Sequence, residues 1–231
     1  MSRKASQLVA MGKPVAILID GAFFLKRYRH CYTGGRYHAP GVVASNMYRM
    51  AFDHVGDDDL YRIFYYDCPP LRKRAHNPIS KKAIDFAKSD VAAFREEFYS
   101  DLSCRRKVAL RLGELKDKQG WHIMPDKLRD LLTGKIEIGD LTDCDVYYDV
   151  IQKGVDIKIG LDIASLAYKR LVKRIVLVSG DSDFVPAAKL ARREGIDVIL
   201  DPMWQRITPD LHLHIDGLQS YCRRPNSPTP D

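Results

Sequence analysis

The chain has 231 residues, with 37 Lys and Arg against 30 Asp and Glu, a formal charge of +7. That length suits one sizeable α/β domain or two small ones, and 45% hydrophobic with 29% charged residues excludes wholesale disorder. No segment approaches the roughly 20 apolar residues of a membrane helix, and the opening MSRKASQLVAMGKP has no apolar core of signal-peptide length. Five cysteines without a C-x-x-C pair argue against a disulfide framework or zinc ribbon. A reducing cytoplasm, with no membrane association, is the expectation.

Residues 1–13 read as a flexible leader. Val15 to Ile19 is a continuous apolar run, the mark of a parallel strand covered on both faces. It stops at Asp20-Gly21, and Ala22 to His30 reads as a helix. A loop through Gly34-Gly35 leads to helical spacing over 42–54. Leu60 to Asp67 is a strand rich in Tyr, Phe and Ile, ended by two prolines. Ile79 to Tyr99 has helical spacing, with Ile84, Ala87, Val91 and Phe94 near one face. Lys107 to Leu112 reads as a strand and Asp126 to Leu132 as a short helix. Ile157, Leu161, Ala164, Tyr168 and Leu171 fall at i, i+4, i+7, i+11 and i+14, which predicts a helix buried along that stripe. Arg174 to Ser179 is a second fully buried strand. Gly180-Asp-Ser-Asp183 is a loop, and Phe184 to Glu194 a helix ended by Gly195. Ile196 to Leu200 is a further strand, His212 and His214 alternate on another, and residues 223–231 read as an unfolded tail.

Strands alternating with amphipathic helices give an open, mostly parallel sheet with helices on both faces. In such sheets ligands bind beyond the carboxyl ends of the strands. That points to Asp20 after the first strand, and to Asp181 and Asp183 after RIVLVS. Asp156 opens the striped helix. Each also reads as a turn or helix-cap residue. If the two strands are neighbours and the helix starts at the same edge, the carboxylates converge. Without a cation they would repel, and some would hold protons. Mg²⁺ or Mn²⁺ removes the conflict, because hard divalent ions prefer oxygen donors. Such a site suits phosphodiester hydrolysis.

The positive charge is concentrated. From Leu71 to Lys118 there are 13 Lys and Arg against 7 Asp and Glu. Arg72, Lys73 and Arg74 come directly after the Pro69-Pro70 break, and Arg105, Arg106 and Lys107 open a strand. A basic segment suits a polyanion, since its cations release counterions from phosphates. These six residues are the expected nucleic-acid contacts, with a solvated basic face as the plainer reading.

The blocks VAILIDGAFF, QKGVDIKIGLDIASLA and RIVLVSGDSDFVPAAKLARREGIDVIL resemble the NYN domain of the PIN-like nuclease superfamily, in its LabA-like branch. The resemblance implies a Rossmann-like three-layer α/β/α fold with a mostly parallel central sheet. It implies one domain over 14–222, with a basic elaboration around 71–141, and a metal-dependent ribonuclease-type centre. By match of position, Asp20, Asp156, Asp181 and Asp183 are its catalytic and metal-holding acids. Lys153 and Asp162 match recurrent positions as a second tier. Where many members carry asparagine after the first Asp-Gly, this chain has Phe23. The expected function is a Mg²⁺- or Mn²⁺-dependent ribonuclease, acting on single-stranded RNA. The alternative is a catalytically weak nucleic-acid-binding or protein-docking module on the same fold. A small-substrate phosphatase is disfavoured, because Ala22 stands where its second aspartate belongs. The oligomeric state stays open, a homodimer included.

Overall fold

Val15 to Ile19 are all fully buried, as a strand covered on both faces requires. The structure, a computed structural model, describes residues 13–225, and the side chains of residues 118 and 119 are not described. The expected leader, save residue 13, and the last six residues of the expected tail lie outside the described residues.

In chain order the strands are β1 (Pro14–Asp20), β2 (Asp59–Asp67), β3 (Arg74–His76), β4 (Ala83–Asp85), β5 (Val108–Leu112), β6 (Glu114–Ile123), β7 (Val146–Lys153), β8 (Arg174–Val178), β9 (Asp197–Asp201) and β10 (Gly217–Leu218). The helices are α1 (Gly21–Cys31), α2 (Pro40–Val55), α3 (Asp90–Ser103), α4 (Pro125–Leu132), α5 (Val155–Tyr168), α6 (Val185–Arg193) and α7 (Pro209–Leu213). The central sheet has six strands in the order β10-β9-β8-β1-β2-β5. Every pairing in it is parallel.

The alternation of β1 sorts its side chains into two cores. Val15, Ile17 and Ile19 pack with Phe24, Met47 and Phe98 of α1, α2 and α3. Ala16 and Leu18 pack on the other face with Ile159, Ile163 and Ala188 of α5 and α6. This is the expected three-layer α/β/α architecture. Outside the sheet lie two antiparallel ribbons, β3 with β4 and β6 with β7. The segment expected to be a basic elaboration therefore contributes α3 and β5 to the central layers as well as the β3–β4 ribbon and β6.

Three expectations change. The helix expected over 79–99 starts only at Asp90, where the Ser89 hydroxyl accepts from Ala92 N. Before it, the Asn77 side chain accepts from Ile79 N at 2.8 Å and turns the chain into the β3–β4 hairpin. On α5 the buried face is Val155, Ile159, Ile163, Leu166 and Ala167. The stripe read from the sequence points outward, with Ile157 at 69% and Leu161 at 64% exposure. The strand expected to carry His212 and His214 is α7, capped by Thr208 with Pro209 in its first turn.

Candidate active site

Strand order places the site. From β1 the chain builds outward through β2 and β5 on one side, and through β8, β9 and β10 on the other. The connections leave β1 and β8 in opposite directions, so a crevice opens at their carboxyl ends. Ile19 pairs with Val178, so Asp20 and the Ser179-Gly180-Asp181 loop leave the sheet side by side. Asp20 pairs with Tyr66, which puts Asp67 at the same edge. Helix α5 begins there too. Gly154, at φ 81°, makes the left-handed turn that starts α5 and sets Asp156 in its first turn.

Gly21 has a steric reason. A Cβ there would lie 2.5 Å from the Tyr65 ring and 2.6 Å from the Tyr66 carbonyl. Only glycine lets α1 leave β1 this close to β2. Phe23 lies over the Gly180 loop. A Cβ on Gly180 would sit 2.9 Å from its ring. The ring thus joins the first acidic loop to the second.

The acids differ in their surroundings. Asp20 Oδ1 accepts from Phe23 N at 3.1 Å, capping α1. Burial is the main reason its carboxyl is pushed up to about 6; the Phe23 bond opposes this, and the charges of Asp156 and Asp67 add to it. Asp156 is also pushed up, first by burial and then by Asp181 and Asp183. Asp181 Oδ1 accepts from Asp183 N at 3.0 Å. Among the described residues, none hydrogen-bonds the side chain of Asp183. Asp156 is therefore the node of the group, felt by Asp20 on one side and by Asp181 and Asp183 on the other.

Asp67 is not among the acids that the sequence reading singles out. It carries the same signal as Asp20, an acid closing an apolar parallel strand. It is fully buried. Arg95 Nη1 donates to it at 2.6 Å, Cys68 N at 2.8 Å and the Tyr65 hydroxyl at 3.4 Å. Its charge is thus compensated, and it fixes α3 beside the crevice. Asp201, closing β9, is likewise engaged, by His54 Nε2 at 2.8 Å, Ser220 at 2.5 Å and Met203 N at 2.7 Å.

The other expected site residues divide by place. Lys153 ends β7 three residues before Asp156, with its ammonium exposed and, among the described residues, unpartnered. Asp162 is not in the crevice. It accepts from the Tyr66 hydroxyl at 2.8 Å and Arg111 Nε at 3.1 Å, tying α5 to the edge of the sheet. Arg72 pairs with Glu96 at 2.8 Å and Arg74 with Asp85 at 3.2 Å, while Lys73 binds Asp117 and Tyr148. Arg105, Arg106 and Lys107 precede β5, so they stand at the amino end of a parallel sheet, away from the acids. Arg105 pairs with Asp101 at 3.4 Å, and Lys107 donates to the Leu60 carbonyl. Only Arg106 of these six has a free side chain, and it is at the wrong end.

A model of the NYN domain matches residues 78–203, more than half of the chain. The chain belongs to the NYN domain family. The NYN match takes in Asp156, Asp181 and Asp183, along with Lys153 and Asp162, and leaves Asp20 and β1 outside. With it comes a PIN-like, nuclease-type fold. Among solved structures, a protein of unknown function from Vibrio parahaemolyticus aligns over 90% of this chain and 93% of its own, at 16% identity and a TM-score of 0.48. No curated protein matches.

The PIN-like superfamily generally uses divalent metals, and the donor set of this NYN domain suits one chemically. Asp20 and Asp156 are part-buried or crowded carboxylates, and no Lys or Arg neutralises either. Among the described residues, no three His, Cys, Asp or Glu side chains stand close enough together to hold an ion as placed. Among the described residues, the side chains of Asp156 and Asp183 are exposed and have no hydrogen-bond partner.

Proposed function

We propose that this NYN domain, in a LabA-like branch, is a Mg²⁺- or Mn²⁺-dependent ribonuclease. One observation supports the reading: four acids stand around the crevice where the strand order reverses, coupled through the charge of Asp156, and among the described residues none is paired with a cationic side chain. Asp20, Asp156, Asp181 and Asp183 would hold the ion. It would supply Lewis-acid activation of water and neutralise charge at the scissile phosphate.

The chain's own groups do the rest. To hold a cation Asp20 would have to give up its proton, so uptake would strengthen as pH rises through about 6. Asp67, held by Arg95, stands behind Asp20. Lys153 stands free at the rim, at the end of the strand that feeds Asp156, and would pair with a phosphate oxygen. No helix among the described residues is long and apolar enough to cross a membrane. All five cysteines are free, which suits a reducing cytoplasm.

The test is cleavage of a labelled single-stranded RNA with Mn²⁺. Chelator should abolish it, and Asp156→Asn should lower it by at least about 100-fold, the scale of a damaged metal site. Cleavage that survives both would overturn the reading. RNA binding without cleavage or Mn²⁺ uptake would favour the docking module instead. The Phe23 ring over Gly180, and the spread of the acids, are the features that would then explain the lost catalysis.

A further inference from the structure

Beside the acidic crevice lies a cavity of about 630 Å³ between α1 and α3. Its α1 side starts at Ala22, two residues from Asp20, and continues through Lys26 and Arg29 on the same helical face. Arg36, in the loop after α1, extends it. Lys26, Arg29 and Arg36 are exposed, and among the described residues their cationic heads have no hydrogen bond or ion pair. Asp90 is the single acid in the lining, and Arg95 is spent on Asp67. The free positive charge next to the site is therefore here, not on the ion-paired Arg72-Lys73-Arg74 run.

A second cavity of about 400 Å³ adjoins the first, and Val91 and Arg95 line both. Its walls are apolar and aromatic, with Leu71, Phe86, Leu115, Tyr148 and Val150. The rings of Phe86 and Tyr148 lie 5.1 Å apart. The Tyr148 hydroxyl is pinned, donating to Asp117 at 2.6 Å and accepting from Lys73 at 2.6 Å. A fixed aromatic wall beside unpaired cations is the pattern that binds a strand with exposed bases: phosphates on the basic track, a base stacked on the rings. The volume lies within the roughly 300–1,000 Å³ of small-ligand pockets. A duplex, with its bases paired and stacked, cannot fill it.

We propose that single-stranded nucleic acid runs along the α1–α3 groove, with phosphates on Lys26, Arg29 and Arg36, and turns one unstacked base into the cavity walled by Phe86 and Tyr148. This rests on the nuclease reading for the kind of ligand, and it adds where the strand lies.

The experiment measures binding rather than cleavage, in chelator, by fluorescence anisotropy of a 12-nucleotide oligouridylate, the same strand with abasic sites, and a 12-base-pair RNA duplex. The wild type should bind the oligouridylate at least about tenfold more tightly than the duplex or the abasic strand, since each stacked base is worth one to two decades. The pair Lys26→Gln and Arg29→Gln should weaken binding about tenfold and flatten the log–log salt slope by about 1.4, two phosphate contacts' share on a single strand. Phe86→Ala should weaken the oligouridylate about tenfold and leave the abasic strand unchanged. Wild-type-like binding by the double variant, equal binding of strand and duplex, or no binding at all would each overturn the proposal. If the groove variants bind normally while Mn²⁺-dependent cleavage persists, the groove fails and the nuclease reading stands. If the groove variants lose binding but the wild type never cleaves, the reverse holds.

Discussion

Asp20 combines two roles that pull against each other. As the cap of α1 it needs only an acceptor for Phe23 N. As an acid buried near Asp156 and Asp67 it holds its proton until about pH 6, against 3.8 for a free side chain. Between those values the folded chain keeps a proton that the unfolded chain gives up. Stability from this group is therefore highest below pH 3.8, falls as pH rises through the interval, and carries the full penalty above about 6. The penalty is at most about 3 kcal/mol, at 1.36 kcal/mol per unit. Asp20→Asn keeps the acceptor and removes the charge. In chelator, its melting temperature should exceed the wild type's by several degrees at pH 7.5, at about 2–4 °C per kcal/mol for this size, and match it near pH 4. Thermal unfolding at the two pH values decides this. A variant no more stable than the wild type at pH 7.5 would mean that capping is all Asp20 does. Asp20 was legible because one acid ends an unbroken apolar run. Asp67 closes LYRIFYYD with the same signal, yet its pairing with Arg95, 28 residues on, exists only in the fold.

At the scale of elements, β1, β2, β5, β8 and β9 were legible, while the β3–β4 and β6–β7 ribbons, β10 and the orientation of α5 were not. A run such as Val15 to Ile19 has no face to choose, since both are covered. Helix α5 has apolar residues on two faces, and spacing alone fits either stripe. The sheet selects Ile159, Ile163 and Leu166, leaving Ile157, Leu161 and Tyr168 outside. The first part of the expected 79–99 helix failed for a different reason. Its periodicity is real, but the Asn77 turn and the Ser89 cap compete with it locally and prevail. The α5 orientation gives an element-scale prediction. Ile163→Ala should cost about 2–5 kcal/mol, as for a filled core site, and Leu161→Ala less than about 0.5 kcal/mol, as for a surface one. Denaturant titration of both variants separates the two stripes. Equal losses would mean that the outward stripe is also covered in solution.

Across the whole molecule the deciding property is the polarity of the sheet. Counting charge found a basic segment but gave it no direction. In a parallel sheet direction comes from order along the chain: residues entering a strand stand at one end of the sheet, and residues leaving it stand at the other. Arg105, Arg106 and Lys107 enter β5, and Arg72, Lys73 and Arg74 come after β2, so the two basic runs read together from the sequence are separated by the length of the strands. The acids lie at the carboxyl end with the Arg72-Lys73-Arg74 run. That run is consumed by Glu96, Asp117 and Asp85, while Lys26, Arg29 and Arg36, never prominent in a charge count, stay free beside Asp20. The contrast predicts unequal effects from equal charge changes. Arg106→Glu, exposed and unpaired at the amino end, should leave oligouridylate affinity within about twofold at moderate salt, because distant exposed charges are screened beyond about 8–10 Å. Arg36→Glu, made in the same background and measured in the same titration, should weaken it about tenfold, since it replaces attraction with repulsion at the strand's own path. Comparable losses from both substitutions would mean that the field of the whole chain, rather than the α1–α3 groove, draws the nucleic acid in.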